Sequence, residues 1–143
     1  MPLIQVEAPT NILTKPEQDR LIAQLSNAVL KAEDAPVDDA GAQSLVWAYY
    51  NEQPEGSVYV GSKNLPQPPL RIAVTTPEGA LHEATRHSLV AEIGRIVDGI
   101  VGPFEDRLNH WAMLYEVSEG SWAGGGQIFP LAGIQAAMNI KAA

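Results

Sequence analysis

The chain of 143 residues contains no cysteine, so it has no disulfide framework, no thiolate nucleophile and no cysteine-ligated metal site. Positive charge is scarce, with 9 Lys and Arg against 17 Asp and Glu and a net charge of -8. Because such a surface repels phosphate groups, we expect neither nucleic acid nor a membrane as a partner. No apolar run reaches the roughly 18 residues of a membrane span, and no signal peptide is recognisable. These absences predict one cytoplasmic domain that acts on small molecules or proteins.

The chain starts with Met1 and Pro2, followed by a short β-branched run. Initiator methionine is normally removed before a small residue, which would leave Pro2 with a free secondary amine. Burial against neighbouring strands would lower the pKa of this amine towards neutrality, where it could act as a general base. If Met1 is retained, the Pro2 nitrogen is an amide and has no basicity. Pro2 is therefore a candidate catalytic residue that the rest of the chain has to support.

The first half of the chain predicts a strand, a helix and a second strand. An alternating pattern indicates a strand over residues 3–8, and the capping-box sequence Thr14-Lys15-Pro16-Glu17 indicates a helix start. Apolar residues recur at helical spacing through residue 32, a loop is predicted over 33–41, and residues 45–50 have the composition of a strand. Because a helix separates the two strands, they can run parallel. This half therefore predicts one βαβ unit.

The second half repeats this order. A strand is predicted over 70–74, a helix start at Thr75-Thr76-Pro77-Glu78, an apolar helical pattern up to Ile100, and a strand over 110–115. We therefore predict a single α+β domain over 1–143, with repeat one at about 2–61, repeat two at about 70–126 and a tail at 127–143. The predicted architecture is a two-layer, four-stranded mixed sheet with both helices on one face. Its open face would need covering by other subunits.

Three further expectations concern single features. We expect Trp47 to lie in the core, and Gly124-Gly125-Gly126 to form a tight turn. We also expect a short helix over 132–140 that packs on a neighbouring subunit. Glu83 and His87 have metal-compatible spacing, but two ligands without a third do not indicate a site, so no metal is predicted.

A mature N-terminal proline at the start of a doubled βαβ unit resembles the tautomerase superfamily. The segment 50–61, Tyr-Asn-Glu-Gln-Pro-Glu-Gly-Ser-Val-Tyr-Val-Gly, and the sequence Pro77-Glu78-Gly79-Ala80 are similar to the cis-3-chloroacrylic acid dehalogenase branch. The resemblance implies a fold like that of macrophage migration inhibitory factor and a homotrimer. It also implies a cofactor-free active site at the amino-terminal proline, near a subunit boundary.

The resemblance also identifies what this chain lacks. Pro77 and Ala80 occupy the places of the branch's two substrate-binding arginines. In the same register, Val29, Met113 and Gly124 replace its histidine, its tyrosine and its water-activating glutamate. Because these residues offer neither a cationic fork nor a carboxylate for water, dehalogenation and hydration are disfavoured.

The predicted site keeps Pro2 as the catalytic base, with polar help from Arg71, Thr76 or a neighbouring subunit. Its substrate-binding walls would be aromatic or apolar and comprise Tyr49, Trp111, Met113 and Trp122. Such a pocket suits an aromatic enol or keto acid, so the leading hypothesis is phenylpyruvate-type enol–keto tautomerisation. The alternatives are cofactor-independent oxygenation of an aromatic enol and a trimeric binding protein without catalysis.

Overall fold

The computed structural model describes residues 1–141, so the last two residues of the predicted tail, 142 and 143, lie outside the described part. No helix within this range is both long enough and apolar enough to cross a membrane. The elements in chain order are β1 (Leu3–Pro9), α1 (Lys15–Ala32), α2 (Ala40–Ser44), β2 (Trp47–Gln53), β3 (Leu70–Pro77), α3 (Glu83–Ile100), β4 (His110–Val117), β5 (Ala123–Gly124), β6 (Gln127–Ile128) and α4 (Leu131–Ala137).

The main sheet has four strands in the order β2-β1-β3-β4. β1 pairs with β2 and β3 pairs with β4 in parallel, whereas the two central strands, β1 and β3, are antiparallel. In this register Leu3 lies opposite Trp47 of β2 and Thr75 of β3. The mixed four-stranded sheet predicted from the doubled pattern is confirmed. Its register places the beginning of β1 beside the beginning of β2 and the end of β3.

Both long helices cover the same face of this sheet, as predicted. Alternate residues of β1 turn their side chains to that face, where Ile4 and Val6 are fully buried. α1 contributes Leu21 and Leu25 to the same apolar cluster, and α3 contributes residues such as Ile93. Fully burying each of these side chains contributes roughly 1.5–3 kcal/mol to folding. Among residues 1–141, no helix forms a second layer on the opposite face of the sheet, where Trp47, Tyr49 and Trp111 are exposed.

The two predicted helix starts have different outcomes. The Thr14 side chain accepts from the Glu17 N–H, and the Glu17 side chain accepts from the Thr14 N–H, so the first capping box is confirmed. The second helix start is wrong, because β3 continues through Pro77 and α3 begins only at Glu83. The β-branched residues before Pro77 pair with β4, and this long-range pairing outweighs the local capping pattern.

Three other expectations need correction. The predicted loop over 33–41 ends earlier, because Asp39 caps α2 by accepting from the Ala42 N–H at 2.7 Å. Trp47 is not in the core: it is 62% exposed, since strand alternation turns Ala48 to the helices instead. The C-terminal helix predicted over 132–140 is α4, which ends earlier, at Ala137, and its Ile134 joins a buried cluster of the same chain.

The triglycine segment forms the predicted turn. β5 and β6 pair as a short antiparallel hairpin with Gly125 and Gly126 between them. Both glycines have positive φ angles, +57° and +81°, as a two-residue hairpin turn of this kind requires.

Candidate active site

The head of β1, meaning Pro2 and the groups packed around it, is buried. The Pro2 carbonyl accepts from the Trp47 N–H at 3.2 Å, which fixes the chain start against β2. Because Leu3 pairs with Thr75, the register puts Thr76 next to Pro2 on the other side. Thr76 is only 1% exposed, and its Oγ1 has no hydrogen-bond partner among residues 1–141. A buried hydroxyl that is free to donate therefore lies beside the proline.

A second apolar cluster forms the wall around this position. Its buried members come from the end of α1, from α2 and from the C-terminal segment, and include Leu30, Ala42 and Met138. Met1 and Trp122 pack against the same cluster. The C-terminal segment thus folds over the start of the chain, and Trp122 is a predicted wall residue that the structure does place there.

The amino group of Met1 lies inside this apolar environment. Its nitrogen is 2.8 Å from Sδ of Met138 and 3.9 Å from Oε2 of Glu33. Burial lowers the pKa of the Met1 amine, and the charge of Glu33 opposes that shift less strongly. A thioether is a weak acceptor and does not replace the lost hydration. Burial therefore makes an amine at this position easier to deprotonate than an exposed amine.

Glu33 is the residue that the sequence interpretation missed, because it was assigned to a loop. It caps the C-terminal end of α1 and is only 4% exposed. Neither carboxyl oxygen has a hydrogen-bond partner within the described residues. Burial raises the Glu33 pKa to about 7, against the opposing effect of the amine. A signal existed, since Glu33 continues the four-residue spacing of Leu21, Leu25 and Val29 along the buried stripe of α1.

The other predicted wall residues lie on the opposite face of the sheet. Tyr49 and Trp111 are 53% and 67% exposed there. Arg71 reaches Glu7 at 3.6 Å and donates through Nη2 to the Tyr115 hydroxyl at 3.4 Å. Arg71 pairs in register with Glu7, and Glu7 lies about 13 Å along β1 from Leu3. Within one chain these side chains are separated from Pro2.

Met113 belongs to the same face, and the Tyr115 hydroxyl donates to its Sδ at 3.6 Å. Tyr115 was not predicted, although its two-residue spacing from Met113 in a strand puts both on one face. The structure thus puts Thr76 beside Pro2 and packs Trp122 against the same cluster as Met1. It leaves four predicted residues on the open face of the sheet: Tyr49, Arg71, Trp111 and Met113.

A groove of about 520 Å³ opens at the far end of that face from Pro2. Its lining includes Tyr59, Arg71, Leu108 and Trp111. No group of three metal-ligating side chains occurs among residues 1–141. At the head of β1, the amine of Met1 and the Glu33 carboxyl form an ion pair.

No protein-family model and no curated protein matches the chain by sequence. Solved structures do match it in shape. A fused 4-OT wild-type asymmetric trimer superimposes with a TM-score of 0.73 at 19% identity, covering 88% of this chain and 94% of the other. A member of the cis-3-chloroacrylic acid dehalogenase family gives 0.72 at 15% identity, covering 94% and 87%. The chain has the tautomerase fold.

Macrophage migration inhibitory factor of Toxoplasma gondii is a third structure of this shape, with a TM-score of 0.67 at 19% identity. The match covers 89% of this chain and 99% of the Toxoplasma gondii chain. The predicted tautomerase fold, with two βαβ units on one sheet, is confirmed. At identities this low the likeness concerns the tautomerase fold, and the chemistry has to be argued from the residues of the site.

Proposed function

We propose that this chain is an isomerase whose Pro2 amine, released by removal of Met1, interconverts the enol and keto forms of an aromatic keto acid. One observation carries the proposal: the amino group of Met1, next to Pro2 in the chain, already lies in a partly buried site where desolvation lowers its pKa. A base whose pKa approaches the working pH is present in its free form and still accepts a proton effectively.

The reaction needs few groups. The Pro2 nitrogen accepts the proton of the enol O–H, the carbonyl forms, and a proton is delivered to the adjacent carbon. One O–H bond breaks and one C–H bond forms, so no cofactor or co-reactant is consumed. In this proposal the Thr76 hydroxyl donates to the substrate oxygen as negative charge develops there, which its lack of a partner within the described residues supports.

Removal of Met1 would change the shape of the site as well as its chemistry. The Met1 side chain packs against the second apolar cluster, alongside Trp122 and Phe129. Excision would therefore open a space of about one side chain between the amine and an aromatic wall. A flat, partly aromatic substrate suits such a wall.

A homotrimer would complete this site. Three of the matched structures are described as trimers, two fused 4-OT asymmetric trimers and a symmetric one. The open face of this chain exposes Trp47, Tyr49 and Trp111, more aromatic surface than a lone soluble domain normally leaves uncovered. Assembly through this face would bring Arg71 and its neighbours towards the Pro2 of another subunit. Arg71 would then supply the cation that a keto-acid carboxylate requires.

The apolar surroundings of the head of β1 favour one second candidate. An enolate formed beside Trp122 and Phe129, away from water, could react with dioxygen before it is reprotonated. The same amine would start both reactions. The fate of the enolate, and not the identity of the base, separates an isomerase from a cofactor-independent oxygenase.

The test measures ketonisation of enol phenylpyruvate and its 4-hydroxy analogue while oxygen uptake is recorded. The protein is first shown by mass spectrometry to start at Pro2. We expect Pro2→Ala to lower ketonisation by at least about 10²-fold. Insertion of one residue after Met1, which keeps the Pro2 nitrogen in an amide, should have the same effect. Pro54→Ala, in an exposed turn, is the matched control and should leave the rate unchanged.

A covalent probe gives a readout without turnover. Pt0534, whose structure matches this fold at 21% identity, was inactivated by 2-oxo-3-pentynoate. We expect this alkynyl ketone to label the processed protein once, on the amino-terminal peptide. Oxygen consumption equal to substrate loss would assign the oxygenase. Native rates equal to those of buffer, together with no labelling, would refute both enzymes and leave the non-catalytic trimer.

A further inference from the structure

We propose that Glu33 is the second proton-transfer group of this site, working as the acid while the Pro2 amine works as the base. The inference rests on the proposed function and adds a residue that neither the fold nor the resemblance assigns. Its basis is a juxtaposition: a buried carboxyl with no hydrogen-bond partner within the described residues, held beside the amino group at the head of β1.

The position of Glu33 is unfavourable for a structural carboxylate. It lies at the C-terminal end of an 18-residue helix, where the helix dipole repels negative charge. Its burial removes water without supplying the hydrogen bonds that normally compensate a buried acid. A side chain kept under these conditions is poorly explained by stability alone, whereas active sites commonly hold such groups.

Few charged groups surround Glu33. Lys31 is exposed in the last turn of α1, and Asp34, Asp38 and Asp39 follow in the connection to α2. α2 and α4, which border the same apolar cluster, contain no charged residue. The ion pair that Glu33 makes among residues 1–141 is with the Met1 amine. The protonation of Glu33 is therefore set by burial and by that amine.

Excision of Met1 makes the Pro2 nitrogen the free amine, and this nitrogen is three covalent bonds from the Met1 nitrogen. The Met1 nitrogen is 3.9 Å from Oε2 of Glu33. The Pro2 nitrogen therefore remains within about 8 Å of the carboxyl, close enough for a small substrate to contact both groups. The space vacated by the Met1 side chain borders the same pair.

Proton transfer balances in this arrangement. The Pro2 amine takes the enol O–H proton and becomes ammonium, while neutral Glu33 gives its proton to the adjacent carbon and becomes a carboxylate. The ammonium then returns a proton to the carboxylate. One O–H bond is lost and one C–H bond is gained, and both catalytic groups are restored. In the chain that carries Met1, burial raises the Glu33 pKa to about 7, which favours the protonated form that an acid of this kind requires.

The test compares Glu33→Gln with Glu105→Gln, an exposed loop glutamate, both in protein that starts at Pro2. We expect Glu33→Gln to lower kcat for ketonisation by about 10²-fold or more while KM changes less than about threefold. The native pH profile should fall as pH rises through about 7, because Glu33 loses its proton there. That descending limb should vanish in Glu33→Gln and persist in Glu105→Gln.

A measurement that needs no turnover separates this inference from the proposed function. Carboxyl NMR of glutamate-labelled protein should show one resonance that titrates near pH 7 and disappears in Glu33→Gln. If ketonisation depends on Pro2 but survives Glu33→Gln unchanged, the acid role of Glu33 is refuted and the isomerase stands. If the resonance titrates as expected but neither Pro2→Ala nor the insertion after Met1 lowers the rate, the base role of the Pro2 amine is refuted and with it the acid role of Glu33. A carboxyl that titrates near its ordinary value would also overturn the inference.

Discussion

The head of β1 and the open face of the sheet share the same strands, but their burial is unusual in opposite ways. One region buries polar side chains, and the other exposes aromatic side chains. At the head of β1, Glu33 and Thr76 are buried without hydrogen-bond partners in residues 1–141. On the open face, Trp111 and Tyr49 are largely exposed although their side chains are aromatic. Buried polar groups without partners are typical of chemistry, whereas exposed aromatic groups are typical of assembly.

The comparison also explains why the predicted site residues separate. Alternation in a strand sends neighbouring side chains to opposite faces, so one strand serves both regions. Thr76 lies on the buried side of β3, whereas Thr75 is only half-buried beside Tyr115. Residues that are close in sequence therefore belong to different regions, and only a second subunit could rejoin them.

The largest expected effect is on the proposed assembly through the open face. In the proposed trimer, Trp111→Glu would bury a carboxylate in each subunit interface at a cost of several kcal/mol per copy, so the trimer should dissociate. Light scattering should show the mass fall to one third. Val90→Glu, an exposed apolar position on α3, is the matched control and should keep the native mass. An unchanged mass for Trp111→Glu would show that the open face is not the interface.

An effect of intermediate size is expected on stability at the head of β1. Below about pH 4.5 Glu33 is protonated in both the folded and unfolded states, so it makes no difference to stability. As pH rises from 4.5 to about 7, the unfolded state releases this proton first, and the native protein loses stability through this window. Above pH 7, Glu33→Gln should therefore raise the free energy of unfolding by roughly 3 kcal/mol.

Urea unfolding at pH 5 and pH 8 measures this difference. The gain of Glu33→Gln over the native protein should be small at pH 5 and large at pH 8. A variant that is less stable than the native protein at pH 8 would mean that the Glu33 carboxylate stabilises the fold, contrary to its placement at the head of β1.

The smallest expected effect is the difference between substitutions of two adjacent threonines. Thr76→Val removes a buried hydroxyl that lacks a partner in residues 1–141, so unfolding free energy should rise by about 1 kcal/mol while ketonisation slows about tenfold. Thr75→Val, whose side chain lies on the open face, should change neither quantity appreciably. If the two substitutions changed the rate of ketonisation equally, the assignment of Thr76 to the site and of Thr75 to the open face would have no functional meaning.

The fold was accessible from sequence because its signals are local and repeated. The capping box at Thr14 and Glu17 and the apolar spacing of α1 and α3 depend on residues within a few turns of one another. The second helix start failed because Thr75 and Thr76 pair with β4, some forty positions away. Local propensity cannot weigh such a pairing against a competing cap.

The sequence by itself determined the two βαβ units, the one-sided core and the candidate proline at the chain start. Hydrophobic periodicity fixes which face of each element is buried, and the doubled pattern fixes their order. Only the tertiary structure decided what surrounds Pro2. Glu33 comes from the far end of α1 and Met138 from the C-terminal segment, and they meet the amine because packing brings distant segments into one apolar cluster. The unusual protonation of Glu33 arises from that shared burial, which no local pattern of residues encodes.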